Sequence, residues 1–223
     1  MVDAQTKLAV SLVIGPRSQR NAEALWSDFA QRTDHELPTL ITTDEYRVYA
    51  GAILRTYGCP QAAPRTGKPG RPRQPRWVPP QDLVYAMVHT LRRKGRVVKV
   101  TIRRVFGTAR RLAQAVARSV VSTHVNTSFV ERFNATVRQH NRRKARKVYT
   151  FSKDLEQHLA MSWFATVYDN FCRPHLGLRV REDGHWQART PAMAADLSDH
   201  VWSIREFMDY PVIHHALVSV PDQ

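Results

Sequence analysis

The strongest constraint on this chain is its alternation of short apolar, β-branched runs with segments of helical periodicity. Residues 7–15 (KLAVSLVIG) are nearly all apolar from Leu8 to Ile14, the pattern of a strand buried on both faces. Ala22, Leu25, Trp26 and Phe29 then recur at helical spacing. Residues 37–43 (LPTLITT) read as a second short buried strand that ends directly at Asp44. A helical run with Val48, Ala52 and Leu54 follows and should end near Gly58. The runs 83–91 and 97–106 flank Arg92-Arg93-Lys94-Gly95-Arg96 as the arms of a β-hairpin. In its second arm Val98, Val100 and Ile102 should face the core, and Lys99, Thr101 and Arg103 should form a cationic face. The expectation is an α/β fold: one sheet of 8–14, 37–43 and the 83–106 hairpin, with helices packed against it.

Residues 59–80 interrupt this pattern with seven prolines, five basic residues and no acid, so a packed element is not expected there. Further on, Thr108 should cap a short helix carrying Leu112 and Val116. A helix from Ser128 should bury Val130, Phe133 and Val137, with Glu131, Asn134 and Arg138 on another face. Ser152 should cap the longest helix, to about Cys172, with Leu155, Leu159, Trp163, Val167 and Phe171 as its apolar face. Thr190-Pro191 starts another helix, and residues 199–210 form the last.

Charge is placed as unevenly as hydrophobicity. The 223 residues carry a net +15. Residues 46–153 hold 25 Lys and Arg against two acids, Asp82 and Glu131, a net of +23. Segment 1–45 has 4 basic and 7 acidic residues, and 154–223 has 5 and 10. A basic surface between acidic ends points to a polyanion, and to nucleic acid over membrane, since no long apolar run exists. Two cysteines, Cys59 and Cys172, make no disulfide framework, so a reducing, cytoplasmic setting is expected. Cys172-x-x-His175 has too few ligands for a structural zinc.

Three positions have chemistry that two readings share. Glu131 is either the acid of a Ser128-x-x-Glu131 capping box or, among so many cations, a counter-ion or metal ligand. Asp44 either caps the helix behind it or is a functional group at a strand end. Pro69-Gly70-Arg71-Pro72-Arg73 looks like an AT-hook core for an A·T-rich minor groove, and equally like a solvated basic loop. Arg142-Arg143-Lys144-Ala145-Arg146-Lys147 is a charge run of the kind that contacts phosphate or simply faces water.

In order along the chain, four blocks resemble the insertion-sequence transposases of the DDE type, in the retroviral-integrase, RNase H-like superfamily. They are Val2-Asp3-Ala4-Gln5-Thr6-Lys7-Leu8; Thr42-Thr43-Asp44-Glu45-Tyr46 with Tyr49; Asn126-Thr127-x-x-Val130-Glu131-Arg132-x-Asn134; and Tyr168-x-Asn170-x-Cys172-Arg173-Pro174-His175-x-x-Leu178 with Arg189-Thr190-Pro191-Ala192-Met193-Ala194-Ala195. The resemblance implies an RNase H-like mixed sheet flanked by helices over 1–175, with 59–80 a basic Pro-rich loop and 176–223 a C-terminal helical extension. It implies Asp3, Asp44 and Glu131 as catalytic carboxylates holding Mg²⁺ or Mn²⁺. Such an all-oxygen triad can carry two hard cations that activate the attacking oxygen and stabilise the leaving one at phosphorus. The substrates implied are double-stranded transposon ends and target DNA, bound by a nucleoid-associated homo-oligomer. Arg71, Arg73, Arg132, Asn134, Arg138, Arg142, Arg143 and Lys144 are the expected DNA contacts. In relatives the first Asp follows several strand residues and a DNA-binding region. Here Asp3 follows only Met1 and Val2, so a truncated first strand is expected.

Two other classes fit parts of the pattern. A non-catalytic DNA-binding relic, or an inhibitor of transposition, would keep the basic surface without needing a metal. A basic RNA-binding protein would account for the charge but not for three acids in these contexts, and no aromatic stacking motif is evident.

Overall fold

The computed structural model describes residues 1–62, 74–145, 149–150 and 152–211. It has helices and a small mixed sheet, in two compact units, Met1–Leu159 and Ala160–Gln223. Their division falls within one helix, ahead of residue 175.

In the first unit the sheet has three strands, β1 (Ile41–Asp44), β4 (Tyr85–Arg93) and β5 (Arg96–Phe106), in the order β1-β4-β5. β1 runs parallel to β4 with Asp44 opposite Val88, and β4 runs antiparallel to β5. β1 starts at Ile41, later than the apolar run that announces it. The β4–β5 turn is Lys94-Gly95, both with positive φ (48° and 78°), the conformation that matches the twist of a two-residue hairpin.

Helices cover both faces of this sheet. Tyr85 and Met87 join Ala22 and Trp26 of α1 (Gln19–Arg32) and Ala52 and Ile53 of α2 (Val48–Tyr57) in one cluster. Ala86 and Val88, on the opposite face by strand alternation, meet Val125 and, from α3 (Ala109–Arg118), Leu112 and Val116. Gly58 follows the last residue of α2 and Thr108 caps α3 through the Arg111 amide, as expected, and Ser18 caps α1 through the Asn21 amide.

Three expectations for this unit need correction. Residues 7–15 form no strand: the segment makes a single antiparallel bridge, Val2 to Ala9, and only Ala9 and Ser11 are buried. Lys7, with φ 63°, turns the chain back on residues 1–3, which supply no longer ladder. The Pro-rich segment does contain order at its ends, where β2 (Cys59–Gln61) pairs antiparallel with β3 (Arg76–Val78) as an exposed ribbon. The AT-hook-like residues, Arg71 and Arg73 among them, lie outside the described residues. Lastly, Val98, Val100 and Ile102 are 58 %, 55 % and 45 % exposed, so the apolar side of β5 is not core. Among the described residues, α3 packs against Ala86 and Val88 near the base of the hairpin.

Helix α5 (Leu155–Val167) spans the division, and in the second unit it continues as a π-helical turn, Tyr168–Cys172. The helix is capped by Asp154, whose carboxylate accepts from the Gln157 amide at 2.7 Å, and not by Ser152, which bonds His158. Its buried residues are Ser162, Ala165 and Thr166, while Leu155 is exposed, so the apolar stripe read from sequence is not the buried one. Thr166 satisfies its hydroxyl on the Ser162 carbonyl at 2.8 Å, which makes a polar pair admissible in the interior. The π turn holds Asp169, Asn170 and Cys172 buried, and Phe171 packs on Trp202, which packs on Tyr210. A hairpin of β6 (Val180–Glu182) and β7 (His185–Gln187) turns on Asp183-Gly184, again two positive-φ residues. Helices α6 (Pro191–Ala194), capped by Thr190, and α7 (Ile204–Asp209), with a Ser203–Glu206 capping box, complete it. Residues 199–203 are not helical, so the last helix is shorter than expected.

Candidate nucleic-acid site

The helix with Glu131 is α4 (Ser128–His140), and its start decides what that acid does. Asn126 organises the approach: its side-chain carbonyl accepts from the Ser128 amide at 3.0 Å and hydroxyl at 2.6 Å. Ser128 is therefore the first helical residue, and Thr127 is the cap. That register puts Glu131 at the fourth helical position, one residue too far for a capping box. Its amide bonds the Thr127 carbonyl at 3.1 Å, and its carboxylate accepts from the Thr127 hydroxyl at 2.9 Å. The Ser128–Glu131 capping box is thus absent.

Of the expected apolar stripe only Val137 is fully buried; Val130 and Phe133 are half-buried. Glu131, Arg132, Asn134 and Arg138 are all exposed. After Asn141, whose side chain accepts from the Arg143 amide at 3.1 Å, the residues Arg142–Lys144 form a 3₁₀ turn. Arg142 and Arg143 point to solvent, while Lys144 is half-buried, and desolvation lowers its pKa. The expected phosphate contacts from 132 to 144 therefore lie along one helix and the turn that ends it.

Asp3 sits in a turn of its own. Its carboxylate accepts from the Thr6 amide at 2.7 Å, from the Thr6 hydroxyl, and from the Gln5 amide at 3.3 Å. Lys7 leaves this turn to place its ammonium 3.9 Å from the centre of the Phe129 ring on α4. Desolvation lowers the Lys7 pKa, opposed by the nearby Asp3 carboxylate and reinforced by Arg132. The Asp3 turn thus meets the first turns of α4.

Asp44 ends β1, as expected. It does not cap α2, which has Arg47 before its first residue and no side-chain cap. Instead Asp44 pairs with Arg17 at 3.3 Å, both side chains well exposed at 61 % and 68 %, a pair worth little by itself. Arg17 also lies 4.4 Å over the Tyr46 ring. Behind Asp44 the Tyr85 hydroxyl meets Thr43 Oγ1 at 2.8 Å, and Thr43 in turn donates to the Asp44 carbonyl at 2.7 Å. Burial raises the Tyr85 pKa to about 12, with the Thr43 bond opposing. Next to it Glu45 and His89 of β4 bond each other. Sequence reasoning missed Arg17 and His89; the only signal for His89 was its place in the strand that pairs with β1.

Three carboxylates are the right donors for Mg²⁺ or Mn²⁺. In this arrangement each serves a local partner: Thr6, Arg17 and Thr127. Among the described residues no three His, Cys, Asp or Glu side chains gather in a group able to hold a metal ion. As arranged here, the three carboxylates do not form a metal centre. Also among the described residues, no helix is long and apolar enough to cross a membrane. No protein-family model matches the chain, and no curated protein or solved structure shows significant similarity to it.

Proposed function

We propose that this chain is the catalytic part of a DDE-type transposase, an RNase H-like protein that binds duplex DNA, cleaves transposon ends and joins them to target DNA. The observation that carries the reading is the seating of Lys7 on α4, which brings the Asp3 turn to the helix of Glu131. Asp44 adds to it as a carboxylate at the C-terminal end of a strand with a parallel neighbour and helices on both faces, where α/β sheets place functional groups. The exposed Arg132, Asn134, Arg138, Arg142 and Arg143 would position the phosphate backbone. Dependence on Mg²⁺ or Mn²⁺ and assembly as a homo-oligomer on DNA belong to the same proposal. Catalysis on this reading requires the three carboxylates to leave their present partners and converge.

The test is strand cleavage of duplex DNA in Mg²⁺. The wild-type chain should nick DNA, and Glu131→Gln or Asp44→Asn should lose that activity by at least about a hundredfold while still binding DNA, as expected when a ligand and not a remote supporting group is removed. Undiminished cleavage by the variants sinks the catalytic assignment.

One observation favours a second reading, a non-catalytic DNA-binding relic or inhibitor of transposition: the absence of a three-residue metal group among the described residues. Tight DNA binding by the wild-type chain with no cleavage in Mg²⁺ or Mn²⁺ selects it.

A further inference from the structure

Beyond Val88 the β4–β5 hairpin leaves the core. β4 is buried from Tyr85 to Val88, half-buried at His89 and Thr90, and exposed at Leu91–Arg93; β5 is exposed from Arg96 to Arg104. The five residues 89–93, at about 3.4 Å each, make a two-stranded ribbon that projects roughly 17 Å. Seven Lys and Arg lie between 85 and 106, and no acid occurs from 83 to 130. Among the described residues, none of those seven cations is in a salt bridge.

The pairing register sorts this charge. Arg93 stands opposite Arg96, Leu91 opposite Lys99 and His89 opposite Thr101, so one face carries Arg93, Arg96 and Lys99. Arg92 opposite Val97, Thr90 opposite Val100 and Val88 opposite Ile102 make the other face mainly apolar. A shift in register between Leu91 and Arg92 lets this segregation persist past Val98. Two arginines directly across a ladder repel each other, a cost that a bound anion would remove.

We infer that the outer β4–β5 ribbon is a DNA-reading arm that lies in the major groove of duplex DNA. The inference rests on the reading of the chain as a duplex-DNA-binding protein and names the element that enters the groove. A B-form major groove, about 12 Å wide and 8.5 Å deep, admits a two-stranded ribbon of this reach. Arginine and lysine on one face suit guanine edges and phosphates, and exposed valines suit thymine methyl groups. The major groove of A-form RNA is too deep and narrow for such a ribbon, so duplex RNA is a poor partner for it.

The experiment compares the full-length chain with its Arg93→Ala/Arg96→Ala variant for binding to duplex DNA across a salt series, with dimethyl sulfate footprinting of guanine N7. Because the two side chains repel, the variant should melt no lower than the wild type, which separates lost binding from lost folding. Its Kd for duplex DNA should rise about tenfold, and the slope of log K against log salt should shrink by about 2, at roughly 0.9 per phosphate contact. Wild-type protein should protect guanine N7, and the variant should not. Arg20→Ala/Arg181→Ala, with the same change in net charge, should shift Kd less than twofold. Unchanged affinity and slope in the ribbon variant overturn the inference, as does an equal loss on duplex RNA. A change in sedimentation with DNA affinity intact assigns the ribbon to contact between copies of the chain and also overturns it. Binding without cleavage by the wild type would defeat the catalytic proposal and leave the arm standing, so the two fall separately.

Discussion

At the scale of single residues, one position of helix register separates two chemistries of Glu131. With Thr127 as cap, the Glu131 carboxylate accepts, among the described residues, from the Thr127 hydroxyl, at 2.9 Å. Glu131→Gln keeps an acceptor for that hydroxyl, so the variant should unfold within about 0.5 kcal/mol of wild type. A thermal melt on the protein used for the cleavage assay checks this, and a large loss would mean the carboxylate holds α4 together. The second unit offers a titration instead. His200 Nδ1 meets Asp199 at 2.5 Å and Nε2 meets Glu206 at 2.8 Å, and first Asp199, then Glu206, raises its pKa. The Asp199 pKa is lowered in return. Below its raised pKa the imidazolium supports the start of α7; that support is lost as pH rises through it, and at the acid end as pH falls through the Asp199 pKa. By NMR, His200 should titrate above the usual value near 6.5, and Glu206→Gln should move it down. No movement would mean that the Glu206 contact does not form in solution.

At the scale of elements, the sequence discloses what local chemistry decides and conceals what a partner decides. Helix α1 follows from apolar residues at helical spacing, α2 and α3 from such residues beside Gly58 and Thr108, and Asp44 at the end of β1 was equally legible. So were Asp3, Asp44 and Glu131 as acids in suggestive contexts, but not their present partners, because Arg17 and Thr127 are brought in by fold and register. The run 8–14 has the composition of a buried strand, yet a strand needs a ladder, and residues 1–3 give it one bridge. Alternation in β5 correctly divided its two faces, but alternation cannot say whether anything covers the apolar one. The Asp183-Gly184 hairpin was the reverse case, a local turn signal present in the sequence and passed over. A test of how β1 is held uses Tyr85, whose hydroxyl reaches the Asp44 strand end through Thr43. Tyr85→Phe removes one buried hydrogen bond and should cost about 1 kcal/mol. For a chain of this size that lowers Tm by about 2–4 °C. An unchanged melt would show that the Tyr85–Thr43 bond contributes nothing to holding β1.

For the whole molecule the decisive property is where the charge lies relative to the two units. The first unit has 29 basic and 11 acidic residues, a net of +18, and the second has 5 and 8, a net of −3. Attraction to a polyanion should therefore arise in the first unit alone. If that unit neutralises 6–10 phosphates, affinity for duplex DNA should fall by about 10³–10⁵ between 50 and 200 mM salt. Location is tested by matched pairs of substitutions. Arg138→Ala/Arg142→Ala removes two exposed cations from α4 and its following turn, and should weaken binding at least tenfold and shrink the salt slope by about 2. Arg181→Ala/Arg205→Ala removes the same charge from the second unit and should change affinity less than twofold. Equal losses from the two pairs would show that net charge alone drives binding, and would withdraw the face of α4 as a DNA surface. A loss confined to the first pair, with its folding intact, would place the phosphate backbone along the helix that carries Glu131.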